Sequence, residues 1–333
     1  VDSLTQVRLT RELIDIDSTT GREAEAGAFI VATLAGLGFA VERQPVADGR
    51  FNVIAAAGRP DVVFSTHFDC VPPFIPSREA DGVLYGRGSC DAKGTLVAQV
   101  AAAARLRASG LTNIGLLFVV GEERGSEGAK TANTAASGSR FLVNGEPTGN
   151  RLASATRGVY RARLRATGKA AHTSRPDLGE SAIDKLVDAL VAIRGGDWPA
   201  TPDLGPTFYT VGLINGGVAP NVVSPSAEAE LMFRTVGDHA PLRREIEARA
   251  GALVSVDDVL VVPPVRLMTI DGFDTEAFSF TTDIPFLDRW GAPLLLGPGS
   301  VTVAHTDDEH VEIAELHRAV DLYERLATAL LER

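Results

Sequence analysis

The chain has 333 residues, 45% of them hydrophobic and 23% charged, too long for one ordinary core and about right for two compact domains. A formal net charge of −11 opposes nucleic acid and anionic membranes as partners, although a small anionic substrate stays compatible with a locally positive pocket. The only cysteines, Cys70 and Cys90, make no disulfide framework and suit a reducing cytoplasm, and no apolar run reaches the length of a membrane span.

The opening stretch VDSLTQVRLTRELIDI, residues 1–16, reads as an amphipathic helix rather than a signal peptide. DVVFSTHFD, residues 61–69, is an apolar run ending in polar residues, as a buried strand does at its C-terminal edge. LYGRGSCDAKGT, residues 84–95, carries glycines and a lysine but is no nucleotide loop. A dinucleotide fingerprint needs its third glycine where Asp91 stands, and a phosphate loop needs Gly-Lys-Ser/Thr where the order is Lys93, Gly94, Thr95. A carboxylate there would repel a pyrophosphate, so Asp91 requires another explanation. Helical composition then runs from Ala92 to Ala108. NIGLLFVVGEE, residues 113–123, and SRFLVNGEPT, residues 139–148, repeat the apolar strand ending in acids. Three such strands predict an open mixed-sheet α/β domain whose ligand lies beyond the carboxyl ends of the strands.

The texture changes near Ala155. TRGVYRARLRATGK alternates apolar and polar residues with period two, as a strand with one solvated face does. A helix over Ser181 to Ile193, the strands TFYTVGLING and SAEAELMFRTV, a helix near Pro241 to Ala250, and SVDDVLVVPPVRL follow. That β-α-β-β-α-β order predicts an inserted ferredoxin-like α+β sandwich over residues 155–264. Residues 1–154 and 265–333 then form the two parts of the larger domain. The second part carries PLLLGPG as strand and turn and a final amphipathic helix from Glu312 to Leu331.

His67, Asp69, Asp91, Glu122, Glu123, Glu146 and His305 would all project from one sheet edge. Histidine and carboxylate together suit Zn²⁺, and several carboxylates suit a two-metal site in which one acid bridges both ions. Such a bridge explains Asp91. Asp69 stands two residues after His67 on the same strand face, where it can accept the second ring N–H and fix the tautomer. Adjacent Glu122 and Glu123 repel each other unless a cation is near; one can then ligate while its neighbour exchanges protons. Taken singly, His67 is more often an ordinary partly buried histidine than a ligand, Glu122-Glu123 a solvated turn, Glu146 a loop acid and His305 a helix-start residue near N-cap acids. Their joint order at strand ends separates the two explanations.

STHFDCVP, LYGRGSCDAKG, VVGEERGSEG, VNGEPT and GPGSVTVAHTDDEHV resemble, in order, the signatures of one zinc hydrolase family. It includes acetylornithine deacetylase, succinyl-diaminopimelate desuccinylase, aminoacylase, carboxypeptidase G and several di- and tripeptidases. GKAAHTSRPDLGESAI and INGGVAPNVVSPSAEAELMFR resemble its dimerisation or lid domain, so the resemblance spans nearly the whole chain. It implies a zinc-hydrolase catalytic domain with two zinc ions, cobalt or manganese being possible substitutes. His67, Asp91 and Glu146 resemble the ligands of one ion, and Asp91, Glu123 and His305 those of the other. Asp69 resembles the acid that orients the first histidine, and Glu122 the general acid/base. His172 resembles the lid histidine that reaches a neighbouring subunit's site, which implies a homodimer. Arg157, Asn221 and Arg234 resemble the residues that hold the substrate carboxylate, although both arginines could equally form strand-face ion pairs. The short length and the GPG…AHT.DE segment resemble acetylornithine-type deacetylases, implying a deacylase of N-acyl amino acids. A dipeptidase or carboxypeptidase is the alternative. A non-catalytic binding homologue would have no need of an intact Glu122.

Overall fold

The apolar runs become neighbouring strands of one sheet in the computed structural model, which describes residues 2–56, 59–135 and 138–333. Val1, the first residue of the predicted N-terminal helix, lies outside the described residues. In chain order the first elements are α1 (Ser3–Ile14), α2 (Ala24–Gly36), β1 (Val41–Ala47), β2 (Arg50–Ala56), β3 (Val62–His67), α3 (Lys93–Ala108), β4 (Ile114–Val119), α4 (Glu127–Asn133) and β5 (Phe141–Asn144). There follow β6 (Gly158–Thr167), α5 (Ala182–Arg194), β7 (Phe208–Gly216), β8 (Ser226–Thr235), α6 (His239–Ala250) and β9 (Val254–Val262). The chain closes with β10 (Ala292–Leu295) and α7 (Ile313–Leu331). Two compact units result: Val1–Ser154 with Leu267–Glu276 and Thr282–Arg333, and Ala155–Arg266 with Ala277–Thr281.

The larger unit is built on a mixed sheet in the order β1-β2-β4-β3-β5-β10. β4, β3, β5 and β10 run parallel, so their carboxyl ends share one edge. β1 and β2 form an antiparallel hairpin at the other margin, turned by Asp48 and Gly49, both with positive φ. Asp-Gly is a strong signal for such a turn, and the hairpin was not anticipated from the sequence. Every residue of β3, β4 and β5 is buried, as parallel strands covered on both faces require. α3 is buried along almost its whole length, and its alanines let it pack closely against α7 and the sheet. Tyr323 of α7 stands over Phe64 at 5.2 Å between ring centroids, accepts from Gln99 and donates to the Leu296 carbonyl. Each apolar side chain fully buried in this core contributes about 1.5–3 kcal/mol. Among the described residues, no helix is long and apolar enough to cross a membrane.

The smaller unit has a four-stranded antiparallel sheet in the order β7-β8-β6-β9. With α5 and α6 this is the β-α-β-β-α-β sandwich expected from the period-two alternation. Tyr160, Ala162, Leu164, Leu231 and Phe233 face Leu186, Ile193 and Ile246 in its core. Arg163 and Arg165 meet Glu230 and Asp257 on the opposite face. The sequence left residues 277–281 with the larger domain. In the fold the Phe278 carbonyl accepts the Arg157 amide at 3.0 Å, which draws that segment into the smaller unit.

Candidate metal centre

β3 ends on His67, which is buried together with Asp69 just beyond it. Nδ1 of His67 lies 3.0 Å from the carbonyl oxygen of Asp69 and 3.5 Å from its Oδ1. A carbonyl can only accept, so Nδ1 carries the proton there and Nε2 is left to face the acids. The Asp69 carboxylate has a second task that spacing did not reveal. Its Oδ1 accepts the Glu122 amide at 3.0 Å, and its Oδ2 accepts the Glu123 amide at 3.2 Å and the Thr20 hydroxyl at 2.8 Å. It ties the end of β3 to the turn after β4. Burial opposes its ionisation, but the bonds from His67, Thr20 and Glu122 outweigh this and hold its pKa below the usual carboxylate value.

Asp91 occupies the turn before α3. Its Oδ1 is 3.1 Å from His67 Nε2 and its Oδ2 is 3.2 Å from His305 Nε2. Each oxygen therefore serves a different imidazole. Oε2 of Glu146 lies 3.7 Å from His67 Nε2, and Oε1 of Glu123 lies 3.0 Å from His305 Nε2. His67, Asp91 and Glu146 form one group whose donor atoms all lie within 4.8 Å of one another, and Asp91, Glu123 and His305 form a second. Gly145 lets the chain enter this region, since a Cβ there would stand 2.3 Å from Thr95 Cγ2.

The electrostatics of the cluster are those of acids short of cations. Burial opposes Asp91 too, yet the bonds from His305 and His67 hold its pKa well below the usual range. Burial, with repulsion from Asp91 and Asp283, pushes Glu146 up to about 8 against the pull of His67. The bonds to Asp91 and Glu123 raise His305 to about 10. Oε1 of Glu146 is buried with no hydrogen-bond partner among the described residues. An orphaned carboxylate oxygen beside two histidine–carboxylate groups fits a pair of divalent cations in chemistry and in charge. Glu122 belongs to neither ligand group. Burial raises its pKa well above the ordinary value; His67 opposes this, while Asp283, Glu146 and Glu123 add to it.

His172, Arg157, Asn221 and Arg234 lie in the smaller unit. His172 is exposed; its Nδ1 accepts the Ser174 amide at 3.2 Å, which leaves Nε2 as the protonated nitrogen of the neutral ring. Asn221 is its neighbour, with the Asn221 carbonyl accepting from Thr173 at 3.2 Å. Arg157 is buried and gives three of its five donors to the carbonyls of Leu204 and Pro206 and the hydroxyl of Ser279. Those bonds make it a brace of the smaller unit. Arg234 is half-buried on β8; its side chain has no hydrogen bond or ion pair among the described residues, and burial lowers its pKa.

Two acids of the cluster escaped the sequence reading. Asp283 is buried, lies near Ser126, and is pushed up to about 6 by burial. Glu309, also buried, was one of the acids in the run after His305.

Two histidine–carboxylate groups, drawn from the ends of parallel strands and from the turns that carry Asp91 and His305, fit the class of dinuclear-type metallohydrolases. The pattern of peptidase family M20/M25/M40 matches residues 63–329. A probable carboxypeptidase of Aspergillus terreus is 38% identical, over 96% of this chain and 85% of its own length. A Staphylococcus aureus tripeptidase shares the fold with a TM-score of 0.85 at 20% identity, over 100% of both chains. So does a Bacillus subtilis protein described as a dinuclear metal binding peptidase of family M20, with a TM-score of 0.71 at 16% identity over 99% of this chain and 98% of that one. The chain belongs to peptidase family M20/M25/M40 and is a hydrolase of peptide-type amide bonds.

Proposed function

We propose that the chain is a dinuclear exopeptidase that cleaves the amide bond next to a free C-terminal carboxylate, as a carboxypeptidase or dipeptidase does. The observation that carries this reading is Asp91, whose two oxygens face two separate histidine–carboxylate groups. His67, Asp91 and Glu146 would hold one ion and Asp91, Glu123 and His305 the other, zinc being the default and cobalt or manganese substitutes. When bound, such ions lower the pKa of water and polarise an amide carbonyl.

The chain's own residues supply the rest. Glu122, its amide held by Asp69, takes the proton of the attacking water and passes one to the departing amine. His172 offers its Nε2–H to the developing oxyanion. Arg234, a half-buried guanidinium without a partner among the described residues, pairs with the substrate carboxylate, and Asn221 adds an amide donor. Arg157 contributes by bracing the unit that carries them. The Aspergillus relative's name supports a peptide substrate. Deacylation of N-acyl amino acids, favoured by the GPG…AHT.DE segment, is the second reading and keeps the same carboxylate contact.

The reading includes a homodimer through the smaller unit. β7 is an edge strand, and Phe208, Val211, Leu213 and Ile214 on it are exposed, as are Ile183, Val187 and Val191 on α5. An exposed apolar edge of this kind is often covered by a two-fold copy of itself. Buried free cysteines suit a cytoplasmic setting.

The experiment is a substrate panel on zinc- or cobalt-loaded enzyme: dipeptides, the same peptides amidated at the C-terminus, and N-acetyl and N-succinyl amino acids. Cleavage of free dipeptides and loss of activity on the amidated ones support the exopeptidase reading. Preference for N-acyl amino acids moves the assignment to the deacylase, and equal cleavage of amidated peptides removes the role given to Arg234.

A further inference from the structure

Glu309 stands four residues after His305 in AHTDDEH, a run that reads in the sequence as a helix start with N-cap acids. In the fold it is 1% exposed. Its Oε2 lies 2.6 Å from Nη1 of the equally buried Arg87. Its Oε1 accepts two backbone amides, that of Gly88 at 2.9 Å and that of Asp91 at 3.2 Å. The backbones are joined as well: Gly86 donates to the Glu309 carbonyl at 3.0 Å, and His310–Glu312 pairs antiparallel with Val83–Tyr85. Arg87 is anchored in turn by its Nε on the Pro73 carbonyl at 3.2 Å.

A buried ion pair is a poor source of stability, because desolvation offsets most of the attraction, and a well-packed apolar pair would serve as well. What an apolar pair could not do is grip the amide of Asp91. Holding that N–H fixes the Cα from which the bridging carboxylate springs, and so narrows the positions its oxygens can take. The turn is held from the other side too. The buried ammonium of Lys93 donates to the carbonyls of Leu13 and Ile16 at 3.0 and 2.9 Å. Gly88, at φ +88°, leaves no room for a side chain: a Cβ would meet Cys70 Sγ at 2.8 Å.

We infer that Glu309, charge-balanced by Arg87, is a positioning residue that presents Asp91 to both cation sites. The short segment that delivers His305 to one ligand group thereby also sets the acid common to both groups. The inference rests on Asp91 being shared between two ions.

The test uses the full chain. Zn²⁺ affinity by chelator competition, kcat, KM and thermal melting with and without metal are compared for wild type, Glu309→Gln and Arg87→Lys. Positioning predicts that both affinities of Glu309→Gln fall together, by about 10–100-fold. The rise in melting temperature on adding zinc shrinks, and kcat falls while KM holds. Unchanged affinities, with metal-free and metal-loaded forms destabilised equally, would reduce the pair to a fold-stabilising role and overturn the inference. If Glu309→Gln does not fold, Arg87→Lys, which keeps the charge but loses the planar fork, is read against the same two outcomes. Asp91→Asn is the control. If it binds two ions with wild-type affinity, the metal-centre reading itself fails, and the inference with it.

Discussion

Removing the shared acid should disable two sites, whereas removing an unshared one should disable one. In Asp91→Ala, the first ligand group keeps only His67 with Glu146 at 3.7 Å, and the second only His305 with Glu123 at 3.0 Å. Each group then has one histidine and one acid. In Glu146→Ala, the Asp91, Glu123 and His305 group is untouched. A four-ligand zinc site binds with about 10–16 kcal/mol, so one ligand's share is about 3–4 kcal/mol, roughly 10²–10³-fold in affinity. Asp91→Ala should show that loss at both sites, and Glu146→Ala at the His67 site alone. The assay is titration of metal-stripped protein with Zn²⁺ against a chromophoric chelator, with elemental analysis after desalting. If Asp91→Ala retains two ions per chain at wild-type affinity, the bridging assignment is wrong. If each variant empties one site only, Asp91 is an ordinary ligand.

Glu122→Gln should keep both ions and lose about 10²–10⁴-fold in kcat, the usual contribution of general acid–base catalysis; near-normal turnover would reassign the base. Arg234→Ala should raise KM by about 10–100-fold on substrates with a free carboxylate and change little on amidated ones, as steady-state kinetics on both would show. Metal-free protein should lose stability as pH rises from about 5 to 8. Burial raises Glu146 from its ordinary 4.5 to about 8, and Asp91 and Glu123 raise His305 from 6.5 to about 10. The folded chain therefore holds protons that the unfolded chain has released, and the stability they contribute, full below those ordinary values, drains as pH climbs toward the raised ones. Saturating zinc should reverse the trend, because its ligands bind deprotonated; melting in chelator that improves toward pH 8 would contradict the sign. Finally, mixing His172→Ala with Glu122→Gln after reversible dissociation should restore about a quarter of wild-type activity, since half the dimers are hybrids with one working site of two. No recovery despite proven subunit exchange would place His172 in its own chain's site or outside catalysis.

Local pattern was enough for much of this protein. Apolar runs closing on His67, Glu122-Glu123 and Glu146 announced parallel strands with chemistry at one edge, because strand burial and side-chain alternation are written in consecutive residues. The same holds for the sandwich, whose period-two strands and intervening helices could be counted off. α2 was harder: AEAGAFIVATLAG is apolar nearly all round and shows no stripe. Tertiary structure alone decided what each polar group does. Asp69 reads in the sequence as the histidine's partner, and its carboxylate also grips the amides of a turn on another strand. Arg157 and Arg234 are both arginines in or beside strands, yet one is committed to carbonyls of its own unit and the other's side chain has no partner among the described residues. Glu309 and the residues it holds are 218 to 222 positions apart in the chain. Burial of a charge depends on which remote segment arrives to enclose and pair it, and that information exists only once the chain has closed on itself.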